Sequence, residues 1–207
     1  LGRADFLHSF VDSLKIGIAA TIIATIIGVA TAVGLSRLQF VGREAFRTFV
    51  MSPLVLPTIV TGVALMQFFH MTGFISTLAG LIIGHTLITI PYVVRTVGDG
   101  LVGLNREIEE AAQSLGARPL RVLLRVTLPA IAPSILASTI FVFVTSFDQV
   151  TVSLFLTGPD VMPLPIRIYT YIDYAIDPMV AAVSTLLVLF AFVVVALLQW
   201  VLGLDRA

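Results

Sequence analysis

Five stretches of this sequence, 13–35, 48–70, 74–95, 129–150 and 178–203, are each apolar over about the 20 residues that a helix needs to cross the hydrocarbon core of a bilayer. Backbone N–H and C=O groups in lipid cannot turn to water, so each stretch must satisfy them internally, and helix is the solution. The predicted fold class is therefore all-α: a polytopic bundle of transmembrane helices. Residues 1–207 read as a single transmembrane domain, with one long polar loop at about 96–128. Composition agrees. Apolar residues make up 58% of the chain and charged residues 12%, against about 25% charged in an ordinary soluble domain. Net charge is zero, so no global field draws nucleic acid. There is no cysteine, which removes disulfides and thiolate chemistry. His8, His70 and His85 stand far apart and outside any metal-binding pattern, so no metal or cofactor is expected in this chain.

Lysine and arginine set the expected orientation. With the N-terminus outside, nine basic residues fall inside: Arg37, Arg43, Arg47, Arg95, Arg106, Arg118, Arg121, Arg125 and Arg206. Three (Arg3, Lys15 and Arg167) fall outside. Basic residues favour cytoplasmic loops, so the N-terminus is expected outside and the C-terminus in the cytoplasm. Five spans satisfy this, and so does a six-span protein that has lost its first helix. The opening at Leu1, with no initiator Met, fits a removed or missing N-terminal piece.

The inside loop reads as two short helices with a hinge. Asn105 is an N-cap candidate, with Glu107 in the first turn where the helix dipole favours an anion. Ile108, Ala111, Ala112 and Leu115 follow at i, i+3, i+4 and i+7, one apolar helix face. Gly116 is a natural stop and Pro119 a natural first residue of the next helix. There Leu120, Leu123, Leu124 and Thr127 are expected on one face and Arg121 and Arg125 on the other. Small Ala111 and Ala112, edged by Glu109 and Glu110, suit docking into a groove of another protein. The same pattern also fits an amphipathic helix lying on the membrane surface.

The run Glu110-Ala111-Ala112, then Gly116, then Val126-x-Leu128-Pro129 resembles the EAA loop of binding-protein-dependent ABC importer permeases. The family spacing is kept throughout, with Val126 in place of Ile the one departure. The likeness extends along the chain to spermidine/putrescine-type permeases, through Ser52-Pro53-Leu54-Val55-Leu56-Pro57-Thr58, Ile83-Gly84-His85, Ile90-Pro91-Tyr92, Ser146-Phe147-Asp148 and Phe155-Leu156-Thr157-Gly158. The resemblance implies a MetI-like permease fold with six spans, in the bacterial inner membrane. It implies a complex of two permease subunits, two ATP-binding cassette ATPase subunits and a periplasmic or extracellular solute-binding protein. It also implies that Glu109, Glu110, Ala111, Ala112, Leu115, Gly116 and Arg118 couple to the ATPase. The chain has no GxxxxGK[ST] loop to cradle phosphates, so ATP and Mg would sit on the ATPase partner. The expected cargo is a small solute, a polyamine first. Another amine, an opine, an aminophosphonate, an anion or a metal ion would use the same class of importer.

Within the spans, Ala20, Ala24, Gly28 and Ala32 recur every four residues, and Gly80 and Gly84 form GxxxG. Both patterns read as close helix packing, inside the chain or against a companion permease. Pro53 and Pro57 are expected to kink or break the second span. Asp148, Thr58, Thr61 and Tyr92 are the candidate solute-pathway residues, although Asp148 also reads as a helix-end carboxylate paired structurally, for example with Arg167 or with a backbone amide. An intramembrane enzyme would need a catalytic pair that this sequence does not offer: Asp148 has no second acid at depth, and Ser76 and His85 fit no motif. A transporter independent of any ATPase would leave the EAA spacing without a purpose.

Overall fold

The computed structural model describes residues 3–74, 77–174, 184–190, 192–193 and 196. The described secondary structure is helical, as apolar segments without water to bond require.

Helix α1 runs Arg3–Arg37, longer than the first apolar run, because its polar opening turn carries Asp5 at the favourable dipole end and nothing breaks it before Arg37. After a turn at Gly42, α2 covers Arg43–Met51 and passes into a single 3-10 turn, Ser52–Leu54. Helix α3 is Thr58–Thr72 and α4 is Thr77–Gly103. Two short helices follow, α5 (Arg106–Ser114) and α6 (Pro119–Val122), then a π-helical turn at Leu123–Thr127 and a last short turn, α7 (Leu128–Ala130). Helix α8 is Ala132–Phe147, α9 is Thr151–Leu156 and α10 is Leu164–Tyr174.

Helices α1 and α4 are each long and apolar enough to cross a membrane. The second predicted span is not one rod. Residues Arg43–Leu54 and Thr58–Thr72 meet at 102°. Pro53 and Pro57 bracket that corner, each lacking the N–H that would continue the ladder, and Pro57 itself is extended at ψ 131. The fourth is also bent: Pro119–Ala130 meets Ala132–Phe147 at 68°, between Pro129 and Pro133. If each bent pair is one crossing, the described residues hold four spans. The fifth predicted span, 178–203, lies largely outside the described residues.

The core is built on the seam between α1 and α4. Ala20, Ala24 and Ala32 are fully buried, and a Cβ placed on Gly28 would come within 2.5 Å of Val93 Cβ. The four-residue stripe thus serves packing within the chain. So does the GxxxG of α4, since a Cβ on Gly84 would meet Leu156 at 2.7 Å and one on Gly80 would meet Phe69 at 3.4 Å. One apolar cluster joins Ala24, Ala32, Leu35, Val93, Val97, Leu101, Ile131 and Val142, fastening α8 to the seam. A second joins Ile16, Leu81, Ile88, Val152 and Leu156, fastening α9. Helix α3 packs on α9, where a Cβ on Gly62 would meet Phe155 at 2.6 Å.

The expected face of Leu120, Leu123, Leu124 and Thr127 does not form. The π turn at Leu123–Thr127 inserts an extra residue and shifts the phase of everything after it. Val122 and Thr127 point inward, 3% and 2% exposed, whereas Leu120 and Leu124 are exposed.

Candidate functional site

The α5–α6 segment is shaped by local chemistry at each end. Asn105 Oδ1 accepts from the Glu107 N–H at 3.0 Å, the N-cap expected from sequence. At the other end Gly116 takes φ 86, in the left-handed region that favours glycine. Gly116 N–H donates to Gln113 O at 2.8 Å and Ala117 N–H to Ala112 O at 3.1 Å, the paired bonds of a Schellman turn. Pro119 then opens α6.

Helix α5 is turned the opposite way from an ordinary surface helix. Its apolar edge faces out, with Ile108 52% and Leu115 90% exposed. Glu110, Ala111, Gly116 and Arg118 are exposed on the same segment and Ala112 is half-buried. Glu109, expected beside Glu110 on the docking edge, faces inward and is only 8% exposed. The reason is a charge at the end of the first span. Arg37 Nη2 donates to Glu109 Oε1 at 3.1 Å. Arg37 Nε lies 3.0 Å from Oε2 but off its N–H axis, so that contact is charge–charge without a second hydrogen bond. Thr127 Oγ1, from the π turn, donates to the same Oε1 at 2.6 Å. Arg106 Nη2 adds a bond to Ser36 O at 3.0 Å.

The four solute-pathway candidates are not equivalent. Tyr92 is half-buried on α4, its ring 5.0 Å from that of Phe141 on α8. Asp148 follows Phe141 by two helical turns, at the end of the same helix, and is exposed. The expected pairing of Asp148 with Arg167 is absent, because Arg167 Nε donates instead to Ser9 Oγ, tying α10 to α1. Asp148 keeps only the helix-ending bond from its own N–H to Val144 O, and its carboxylate has no partner among the described residues. It borders an apolar cavity of about 690 Å³ whose wall includes Phe143, Phe147 and Tyr169. Thr58 and Thr61 open α3 after the corner. Thr58 is exposed, but Thr61 is buried, with its hydroxyl 3.5 Å from the Pro57 carbonyl of its own helix.

Sequence spacing did not point to the polar node around His85. The ring is 1% exposed and bridges two helices: Nδ1 lies 2.8 Å from Ser146 Oγ on α8 and Nε2 2.8 Å from Ser153 Oγ on α9. Ser153 spends its one proton on Gln149 O at 2.6 Å, so it accepts from Nε2–H. Nδ1 of the neutral ring is then the acceptor of the Ser146 hydroxyl. Partners 61 and 68 positions away leave no local trace, although a histidine inside an apolar run is itself a sign that partners exist.

Comparison with known proteins matches this architecture. The family described as binding-protein-dependent transport system inner membrane component matches residues 24–203. The chain is 30% identical over 193 residues to the spermidine/putrescine transport system permease protein PotC of Haemophilus influenzae, covering 93% of this chain and 75% of that protein. It is 34% identical over 208 residues to the putrescine transport system permease protein PotI of Escherichia coli (strain K12), covering 97% of this chain and 74% of that protein. Among solved structures, the MetNI methionine ABC transporter in an inward-facing conformation aligns with a TM-score of 0.73 over 97% of this chain and 95% of that one, at 20% identity, which shows the fold. From its transmembrane helices, its EAA-spaced loop and these likenesses together, this chain belongs to the family of binding-protein-dependent transport system inner membrane components.

Proposed function

We propose that this chain is a permease subunit of a bacterial ATP-driven polyamine importer, with its N-terminal end outside and the α5–α6 segment in the cytoplasm. ATPase subunits carrying ATP and Mg dock on Glu110, Ala111, Ala112, Leu115, Gly116 and Arg118. A companion permease completes the pathway, and an external solute-binding protein delivers the cargo. The observation that carries this reading is the inverted α5, which leaves Leu115 90% exposed while a carboxylate is turned inward. An apolar edge held in water is costly unless a partner covers it.

The mechanism is alternating access. Closure of the ATPase dimer on ATP moves the docked segment. That motion passes through the Gly116 turn and the bend at Ile131 into α8, and the cavity changes sides. Hydrolysis resets it. This chain performs no bond-breaking chemistry. Cargo preference for a linear cation rests on the names of the relatives and on Asp148, a carboxylate without a partner among the described residues and beside aromatic rings, which attracts an alkylammonium by charge and by cation–π contact.

The test is uptake of labelled spermidine and putrescine into proteoliposomes holding this chain, its companion, the ATPase and the binding protein. ATP-dependent uptake that stops when Glu110 is replaced supports the whole reading. ATP hydrolysis stimulated by the binding protein, without polyamine uptake, keeps the importer and refutes the cargo. Flux through this chain alone refutes the importer.

A further inference from the structure

We infer that Glu109 is a positioning residue for energy coupling, a single carboxylate that ties the docking helix to the first span and to the π turn at once. This rests on the docking role proposed above for the α5–α6 segment. Along the backbone, α5 follows α4 directly through Leu104 and Asn105, but it reaches α8 only through Gly116, α6, the π turn and the 68° bend, and it has no nearby backbone link to α1. A glycine turn and a π turn are compliant, so that route carries only part of a push to α8. The side-chain route is shorter and bypasses both. Glu109 Oε1 holds Arg37 Nη2 at 3.1 Å and Thr127 Oγ1 at 2.6 Å. Arg37 ends α1 and Thr127 ends the π turn, immediately before α7. Arg106 adds a bond to Ser36 O at 3.0 Å, so α5 grips the end of α1 one turn apart on its own axis.

Burial makes the grip firm. Glu109 is 8% exposed and Thr127 2%, which keeps water from competing for the carboxylate. The π turn places Thr127 under Glu109: in an unbroken α-helix it would have shared the face of Leu120 and Leu124, which is exposed. Displacement of α5 therefore moves the end of α1 and the start of the α7–α8 limb together. The first span takes part in the stroke as much as the limb that follows the loop.

Three substitutions separate the two ties. Thr127→Val removes only the bond to the π turn and keeps the shape. Thr127→Ser keeps the bond. Arg37→Gln removes only the charge tie to α1. The measurement is ATP hydrolysis and solute uptake by the complete, purified complex in proteoliposomes, expressed as ATP consumed per solute moved. Val at 127 and Gln at 37 are each expected to raise that ratio by about threefold or more, with ATPase subunits still bound and basal hydrolysis retained. Ser at 127 is expected to match the wild type. A ratio unchanged in both T127V and R37Q, in complexes that assemble normally, would overturn the inference. Should T127V fail to assemble, R37Q alone decides. Loss of ATPase binding on replacing Leu115 tests the docking role separately. If that docking fails to appear, the reading of the segment falls; if docking stands and the ratio does not move, only the role of Glu109 falls.

Discussion

His85 Nε2 lies 2.8 Å from Ser153 Oγ across 68 positions of chain, and this contact joins α4 to α9 inside the apolar bundle. Removing the hydroxyl leaves a buried N–H with no acceptor. Ser153→Ala should therefore destabilise the protein by about 1–3 kcal/mol. Ser138→Ala is the control. Ser138 is equally buried but, among the described residues, bonds only the Ile135 carbonyl of its own helix at 2.8 Å, and its loss should cost less than about 0.5 kcal/mol. Thermal unfolding of both variants in detergent reads the difference. Equal midpoints would mean the histidine is not held as described.

Gly28 and Val93 form a second checkable pair. A methyl at 28 would lie 2.5 Å from Val93 Cβ, closer than real contacts allow, so α1 and α4 must separate. Gly28→Ala should cost about 1–3 kcal/mol. Val93→Gly in the same chain removes the Cβ that this methyl would meet, and the double variant should be more stable than the sum of the two single losses predicts. Strict additivity would argue against the close seam.

Leu115 offers the cleanest test of docking. At 90% exposure it packs on almost nothing in this chain, so Leu115→Asp should change subunit stability by less than about 0.5 kcal/mol. The same substitution puts a charge into the expected interface and should weaken ATPase binding by about tenfold or more. Surface plasmon resonance of the ATPase on detergent-solubilised permease measures it. Undiminished binding would send the search for the interface elsewhere.

Gly116 holds φ 86, which a β-branched residue tolerates badly. Gly116→Val should strain the Schellman turn by about 1–2 kcal/mol and re-aim α6 relative to α5. The expected phenotype is normal membrane insertion with uptake lost while ATP hydrolysis continues. Normal uptake at normal expression would contradict the role given to the turn.

Asp148→Asn tests the cargo. It keeps the shape of an exposed side chain and removes the charge beside the aromatic cavity. The KM for putrescine uptake should rise by about tenfold while hydrolysis stimulated by the binding protein stays within about twofold. An unchanged KM would remove Asp148 from the pathway.

Much of this architecture was legible in the sequence because it rests on local rules. Apolar length marked α1 and α4, paired prolines marked the corner, and Asn105, Gly116 and Pro119 marked the ends of α5 and the start of α6. What stayed hidden depends on partners far away in the chain. Glu109 reads as a docking residue next to Glu110, and only Arg37 and Thr127, brought together by folding, turn it inward. A face drawn at 3.6 residues per turn through Leu120 and Thr127 fails because nothing in Leu123–Thr127 announces a π turn. Asp148 and Arg167 have opposite charges and lie on the same stretch, yet Ser9 reaches Arg167 first.

The corner between Leu54 and Thr58 carries one more implication. Helices α1 and α4 meet at a glycine and α8 is bound to them by a shared cluster, so these three make a frame with little slack. Helix α3 leans on α9 and joins the Ser52–Leu54 turn through Val55, Leu56 and Pro57. Any turn of α3 about those three residues must also slide Phe69 over Gly80 of α4, so the frame itself sets a stop. The travel of α3 would also be limited by how far Gly62 can slide on Phe155.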